Sequence, residues 1–286
     1  MSTRADFRHF ERLRVRWAEV DLQKIVFNGH YLMYLDTAVA GWWRAMALPY
    51  QQTMEALGGD LYMRKSTLEY SASARYDDQI EVGIKTARIG NSSILIGGAV
   101  FRGEELLVSG ELVYVFADPA SQTSRPVPAQ LREVLTAFEA GEAMVDVQLG
   151  TWDRLGREAS ALRSEVFVQE QKIPAELEWD AADAMALHAV AYNRFDVALA
   201  TGRLLAHEAG VAKIGRMAVQ GSMRGSGIGR AVLDALVQAA RERGDARVLL
   251  HAQASAVGFY RRAGFSPDGP AFTEAGIAHQ AMVLGL

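Results

Sequence analysis

Residues 224–229 read Arg-Gly-Ser-Gly-Ile-Gly and run directly into a helix pattern, RAVLDALVQAARER. Three glycines in six positions permit a tight turn and a close backbone approach that side chains would block. The helix behind them turns its unpaired N-terminal amides and positive dipole end toward the turn, so the segment forms a cradle that a pyrophosphate fits. Dinucleotide folds share this spacing. In those folds the glycines follow the first strand, and an acidic residue ends a second parallel strand about 20 positions later. Here the glycines come late, after IGRMAV. The next strand pattern is ARVLLHA, and a second helix follows it at once, carrying Phe259-Tyr260-Arg261-Arg262-Ala263-Gly264-Phe265.

These stretches, together with LHAQASAVGFY and EAGIAHQAM, resemble the GNAT acyltransferase superfamily, and its ElaA-type branch in particular. The resemblance implies coenzyme A or acetyl-CoA as ligand and an amine as acetyl acceptor. It places Met217 and Val219 on the strand whose backbone pairs with pantetheine, and Arg224, Gly225, Ser226, Gly227, Ile228 and Gly229 on the pyrophosphate loop. Tyr260 matches the tyrosine that protonates the departing thiolate, a role needing only a hydroxyl within hydrogen-bond reach of sulfur. Gln253 stands where many relatives have asparagine, which implies an altered cofactor contact. His251, ending a strand beside the expected cleft, is the first candidate for general base, because imidazole titrates near neutrality; Glu178 and His188 are weaker ones. An ordinary core role remains open for both the tyrosine and the histidine.

At 286 residues the chain can hold two domains, each burying a core of its own. The apolar alternation of ELLVSGELVYVFA gives way at Asp118–Pro128 to DPASQTSRPVP, where a strand ends. The spacing of Leu131, Val134, Leu135 and Phe138 then predicts a helix ending at Gly141. Boundaries of 1–140 and 141–286 follow. Thirty basic against thirty-four acidic residues leave a net charge of −4 and no electrostatic footprint for nucleic acid. No apolar stretch is long enough to span a bilayer, since Arg44 interrupts the most apolar helix pattern. The chain has no cysteine, and no two of its six histidines share the spacing of a helical metal site, so no metal is expected. The N-terminus lacks the apolar core of a secretion signal, and a cytoplasmic location is the default expectation.

Upstream of residue 118, one long apolar helix pattern (29–47) precedes four strand patterns, around 62–73, 80–88, 92–101 and 105–117, with an early strand in FERLRVRW. A helix this apolar with an antiparallel sheet long enough to wrap it is an α+β arrangement, and the sheet edges left over invite pairing between chains. The joining segment WAEVDLQKIVFNGHYLMYLD resembles the hot-dog acyl-CoA thioesterases of the 4-hydroxybenzoyl-CoA thioesterase type, over roughly residues 8–140. That resemblance implies Asp21 as the carboxylate that activates water or attacks the thioester. It implies the main-chain N–H of Asn28, or of Gly29 beside it, as the oxyanion donor at the helix start. Capping a turn and capping a helix are the plainer roles for Asp21 and Asn28.

Lys24 stands where that family usually has glycine; if the backbone there needs φ > 0, lysine costs on the order of 1 kcal/mol. His30 could line the acyl pocket, and Tyr76-Asp77-Asp78 reads as a structural turn. The family builds its pocket between two protomers, which implies a homodimer or a higher even-numbered assembly. Two other readings of the first half stand beside this one: a non-catalytic acyl-CoA-binding or dimerisation module with Lys24 marking a lost site, and a dehydratase, disfavoured by the Asp21 spacing. The joint expectation is a bifunctional coenzyme A-dependent enzyme, thioesterase then acetyltransferase.

Overall fold

The structure, a computed structural model, describes residues 2–274 and 276–286. The chain divides into two units, one up to Met144 and one from Val145 onward. In the first, β1 (His9–Arg14) leads to α1 (Asn28–Ala45) and α2 (Tyr50–Leu57). Four long strands follow, β2 (Asp60–Tyr70), β3 (Gln79–Ile89), β4 (Ser93–Arg102) and β5 (Glu105–Ala117), and α3 (Ala129–Ala140) closes the unit. The sheet order is β1-β3-β4-β5-β2, antiparallel throughout. Alternate residues turn inward, as the period of a strand requires: Ile80, Val82 and Ile84 on β3, Ile94 and Ile96 on β4.

Helix α1 lies close against this sheet because Gly98 and Gly110 stand opposite each other on β4 and β5. A Cβ at Gly110 would sit 3.0 Å from Leu35 Cδ1, and one at Gly98 would collide with Leu35 Cδ2. The missing side chains let Leu35, Tyr31 and Trp42 bury completely, each contributing roughly 1.5–3 kcal/mol of apolar burial. The sheet wraps one side of α1 only. Met33, Asp36, Thr37, Ala40 and Arg44 are exposed along the other, so the helix is more amphipathic than its composition suggests. It also ends two residues earlier than the pattern implied, and α2 follows where no helix was expected; Gly58, left-handed at φ 65°, ends that helix.

In the second unit, β6 (Val145–Gly150) precedes α4 (Trp152–Arg163), which runs into a π-helical turn, Ser164–Glu170, and the one-turn α5 (Ala175–Glu178). Then come β7 (Leu187–Asn193), β8 (Ala198–Glu208), β9 (Val211–Val219), α6 (Ile228–Arg243), β10 (Arg247–Gln253) and α7 (Val257–Arg262). The short β11 (Ser266–Pro267) and β12 (Phe272–Glu274) lead to β13 (Ile277–Gly285). The sheet runs β11-β13-β10-β9-β8-β7-β6, with β12 paired to β13. Among the described residues only β9 and β10 pair in parallel, which rules out the parallel sheet of a dinucleotide fold. Their pairing is confined to Val211–Ile214 with Arg247–Leu250, so the two strands part from Gly215 and His251 onward. Opposite the split, β9 carries a register shift against β8 and Arg216 takes φ 53°. A β-bulge of this kind bends a strand and re-aims its side chains.

Candidate active sites

The first candidate site is a strap of chain that carries Asp21 to the start of α1. Val20 bridges Val26, the Asp21 amide donates to the Ile25 carbonyl (2.9 Å), and the Lys24 amide donates to the Asp21 carbonyl (2.9 Å). Closing this turn puts Lys24 at φ 64°, the left-handed region. The turn that glycine usually serves is therefore kept, with lysine bearing the strain. Replacing Lys24 by glycine relieves about 1–2 kcal/mol of left-handed strain against about 0.5–1 kcal/mol of added unfolded-state entropy. We expect Lys24→Gly in the full chain to raise the denaturant midpoint of the first unit slightly, and Lys24→Val to lower it. A glycine variant less stable than the parent would contradict this.

Asp21 itself is half-buried; one carboxylate oxygen accepts from the Gln23 amide (2.8 Å), and among the described residues the other has no partner. Its turn-capping role is thus real and leaves an oxygen free. Glu19, not singled out in the sequence, braces the strap. It is buried, accepting from the Tyr34 hydroxyl (2.7 Å), the Arg16 amide (2.7 Å) and the Arg16 guanidinium (2.6 Å), while its carbonyl accepts from the Phe27 amide. Burial works against the charge, but these hydrogen bonds prevail and hold the Glu19 carboxyl below the usual range. Its stabilisation is therefore present above the ordinary glutamate range and lost as pH falls through the lowered value.

At the helix start, the Asn28 carbonyl accepts from the Tyr70 hydroxyl (3.2 Å), and the Tyr31 hydroxyl accepts from the Ala74 amide (2.8 Å). The His30 amide is taken by the Phe27 carbonyl, whereas among the described residues the Asn28 and Gly29 amides have no acceptor, as the first amides of a helix lack one. His30 sits beside Phe27, and its Nδ1 is buried without a partner. Trp17, Leu22, Phe27 and Tyr76 are exposed around the strap.

The second candidate site is the wedge between β9 and β10. A cavity of about 520 Å³ opens there, lined by Met217, His251, Gln253 and Tyr260 together with Phe167, Arg216 and Glu274. Val219 and residues 224–229 lie outside that lining, where β9 ends and α6 begins. Gly225 and Gly227 adopt φ 83° and 89°, and a Cβ on either would meet nothing within 4 Å, so the hollow before α6 is open. Among the described residues the amides of Gly225, Gly227, Ile228 and Gly229 have no protein acceptor. Ser226 closes the loop by donating its hydroxyl to the Met223 carbonyl (2.6 Å).

Two residues from the sequence reading are engaged with protein partners that the sequence did not disclose. The Arg224 guanidinium binds both carboxylate oxygens of Glu170 at 2.6 Å, so its charge is matched from the π-helical turn. The Gln253 amide donates to Gln171 Oε1 (2.8 Å), the residue after that turn. Glu170 thus reaches the loop before α6 and Gln171 the wedge, and π-turns recur at functional sites. Tyr260 is 7% exposed, edge-on to Phe259 and Phe265, and burial pushes its hydroxyl up to about 12. His251 Nδ1 lies 3.2 Å from Glu274 Oε2.

Neither weaker base candidate is free. Glu178 lines the cavity, where burial raises its carboxyl, but it pairs with Arg163 at 2.6 Å and Arg216 at 3.4 Å. His188 is buried on β7 against the Asp183 carbonyl, away from the wedge, and burial lowers its imidazole. Among the described residues no group of three or more His, Asp or Glu side chains is placed to hold a metal ion, and no helix is long and apolar enough to cross a membrane.

Comparison with known proteins divides the chain in the same way. Residues 15–135 match the model of the thioesterase-like superfamily, and residues 156–286 match that of the acetyltransferase (GNAT) domain. The uncharacterized N-acetyltransferase YjcF of Bacillus subtilis is 35% identical over 128 residues, 44% of this chain and 90% of that protein. The acyl-CoA thioester hydrolase YbgC of Escherichia coli is 25% identical over 120 residues, 42% of this chain and 89% of that protein. A 1,4-dihydroxy-2-naphthoyl-CoA thioesterase from Synechocystis, of known structure, is 15% identical with a TM-score of 0.42, covering 45% of this chain and 95% of that one.

Proposed function

The chain belongs to the GNAT acetyltransferase family through its second half and to the hot-dog, thioesterase-like superfamily through its first, and on that premise we propose that it is a bifunctional coenzyme A enzyme. The first unit hydrolyses acyl-CoA thioesters; the second transfers acetyl from acetyl-CoA to an amine. The observation that carries this reading is the pair of open helix starts, at Asn28–Gly29 and at Gly225–Gly229, each offering unpaired amides where an anion can be held.

In the hydrolase step the free oxygen of Asp21 takes a proton from water as the hydroxyl oxygen adds to the thioester carbonyl carbon. The Asn28 or Gly29 amide holds the oxyanion, and the C–S bond then breaks with its electron pair going to sulfur. In the transferase step the diphosphate of acetyl-CoA rests on the α6 amides and the pantetheine arm extends along the unpaired edge of β9 past Met217 and Val219. His251 accepts the amine proton as nitrogen attacks the carbonyl carbon. The C–S bond breaks, and Tyr260, protonated at neutral pH as any tyrosine hydroxyl is, gives its proton to sulfur.

The rival in which the first unit only binds ligand rests on Lys24, and the left-handed Lys24 keeps the turn that rival takes as lost. Exposed Trp17, Phe27, Met33 and Tyr70 surround the α1 start, and a second copy of the chain covering them completes the hydrolase pocket as a homodimer or higher even-numbered assembly. The test is direct: thiol release from acyl-CoA esters of graded chain length, and acetyl transfer from acetyl-CoA to a panel of amines, both on the full chain. Turnover in both assays supports the proposal. Acyl-CoA binding without hydrolysis supports the rival.

A further inference from the structure

The hairpin β12–β13 encloses the imidazole proposed as the base. His251 lies on β10, two residues before its end, opposite Ala281 of β13, and from β12, which pairs with β13, come Phe272, edge-on to the imidazole at 5.0 Å, and Glu274, whose Oε2 lies 3.2 Å from Nδ1. A carboxylate only accepts, so the proton of a neutral His251 sits on Nδ1 and Nε2 is left with the lone pair. The second histidine of the wedge, His279, is fixed in the same tautomer by a different device: its Nδ1 lies 2.8 Å from the Ile277 carbonyl, and its ring stacks on Phe272. His251, His279 and Glu274 all line the cavity that holds Met217 and Tyr260.

We propose that Glu274 is the positioning residue of the transferase site, fixing His251 in the Nδ1–H tautomer so that Nε2 is the proton acceptor, with Phe272 limiting rotation of the ring. This rests on the transferase reading above and adds a residue to it. As the amine nitrogen bonds to the carbonyl carbon, its proton passes to Nε2. The resulting imidazolium keeps its Nδ1 proton, and Glu274 balances its charge without taking that proton. The pair is 31% and 56% exposed at His251 and Glu274. A contact this exposed contributes little to folding whether or not the imidazole is charged, so Glu274 can be changed without unfolding the unit.

The experiment uses the full chain with 15N-labelled histidine. The wild type shows His251 in the Nδ1–H tautomer, whereas Glu274→Gln, whose side chain can donate as well as accept, populates the other. With acetyl-CoA and the best acceptor among lysine, spermidine and glucosamine, Glu274→Gln lowers kcat at least about tenfold and leaves KM for acetyl-CoA and Tm unchanged; Glu274→Asp recovers part of the rate. An unchanged tautomer, or a changed tautomer with unchanged kcat, overturns the proposal. Failure of the underlying reading looks different: His251→Ala then keeps the wild-type rate, or no amine is acetylated, while the NMR spectrum still decides whether Glu274 fixes the ring.

Discussion

Asp21→Asn abolishes thioester hydrolysis, lowering kcat by about 10²–10⁴-fold, the range that a positioned acid–base group supplies. The substitution keeps an oxygen to accept from the Gln23 amide, so the turn that depends on that bond survives. What is lost is the second, unpartnered oxygen, replaced by an amide that accepts no proton. Asn28→Ala is the matched control. The proposed donor at residue 28 is the main-chain N–H, and the Asn28 contact to Tyr70 is made by its carbonyl, so this variant retains most of its rate. The measurement is continuous thiol detection with saturating acyl-CoA. Equal loss in both variants means that the strap, and not the carboxylate, has been damaged.

Tyr260→Phe lowers acetyl transfer by a similar factor, about 10²–10⁴-fold in kcat, with KM for acetyl-CoA little changed. The ring is buried between Phe259 and Phe265, and phenylalanine fills the same space, so stability is preserved and the loss reports the hydroxyl. Because burial pushes that hydroxyl up to about 12, it stays protonated throughout the usual assay range. The acid is competent below its raised value and lost only as pH climbs through it. The wild-type kcat profile therefore has no alkaline limb from Tyr260 below about pH 11. A limb near pH 10 that vanishes in Tyr260→Phe contradicts this assignment of its environment.

Local signals carried much of this molecule into view. The glycines at 225 and 227 need a left-handed backbone before a helix, and that need is written in three adjacent codons' worth of small residues. The strand alternation on β3 and β5, and the apolar stretch that becomes α1, are likewise periodic and short-range. What stayed hidden depends on partners distant in sequence. Glu19 looks like any surface glutamate until Tyr34 arrives from α1, one strap later. Nothing near Gln253 in sequence announces its bond to Gln171, 82 residues earlier. Glu274 has no meaning beside His251 until β12 folds back on β13. The π-helical turn has no periodicity of its own, since it continues α4 with one wider turn. Helix α2 leaves no legible signal because Tyr50–Leu57 is too short for a periodic pattern to emerge. The extent to which α1 is covered could not be read either, because composition reports how apolar a helix is and not which side the sheet reaches.

In the proposed function, two helix starts in one chain each hold a coenzyme A thioester through unpaired amides. Calorimetric titration of the full chain with a non-hydrolysable acyl-CoA thioether tests it most directly. Two sites per chain are expected, with Gly227→Val, which replaces a left-handed glycine at the mouth of the open hollow, abolishing one and sparing the other. A single site in the wild type, or two sites that both survive Gly227→Val, would contradict it.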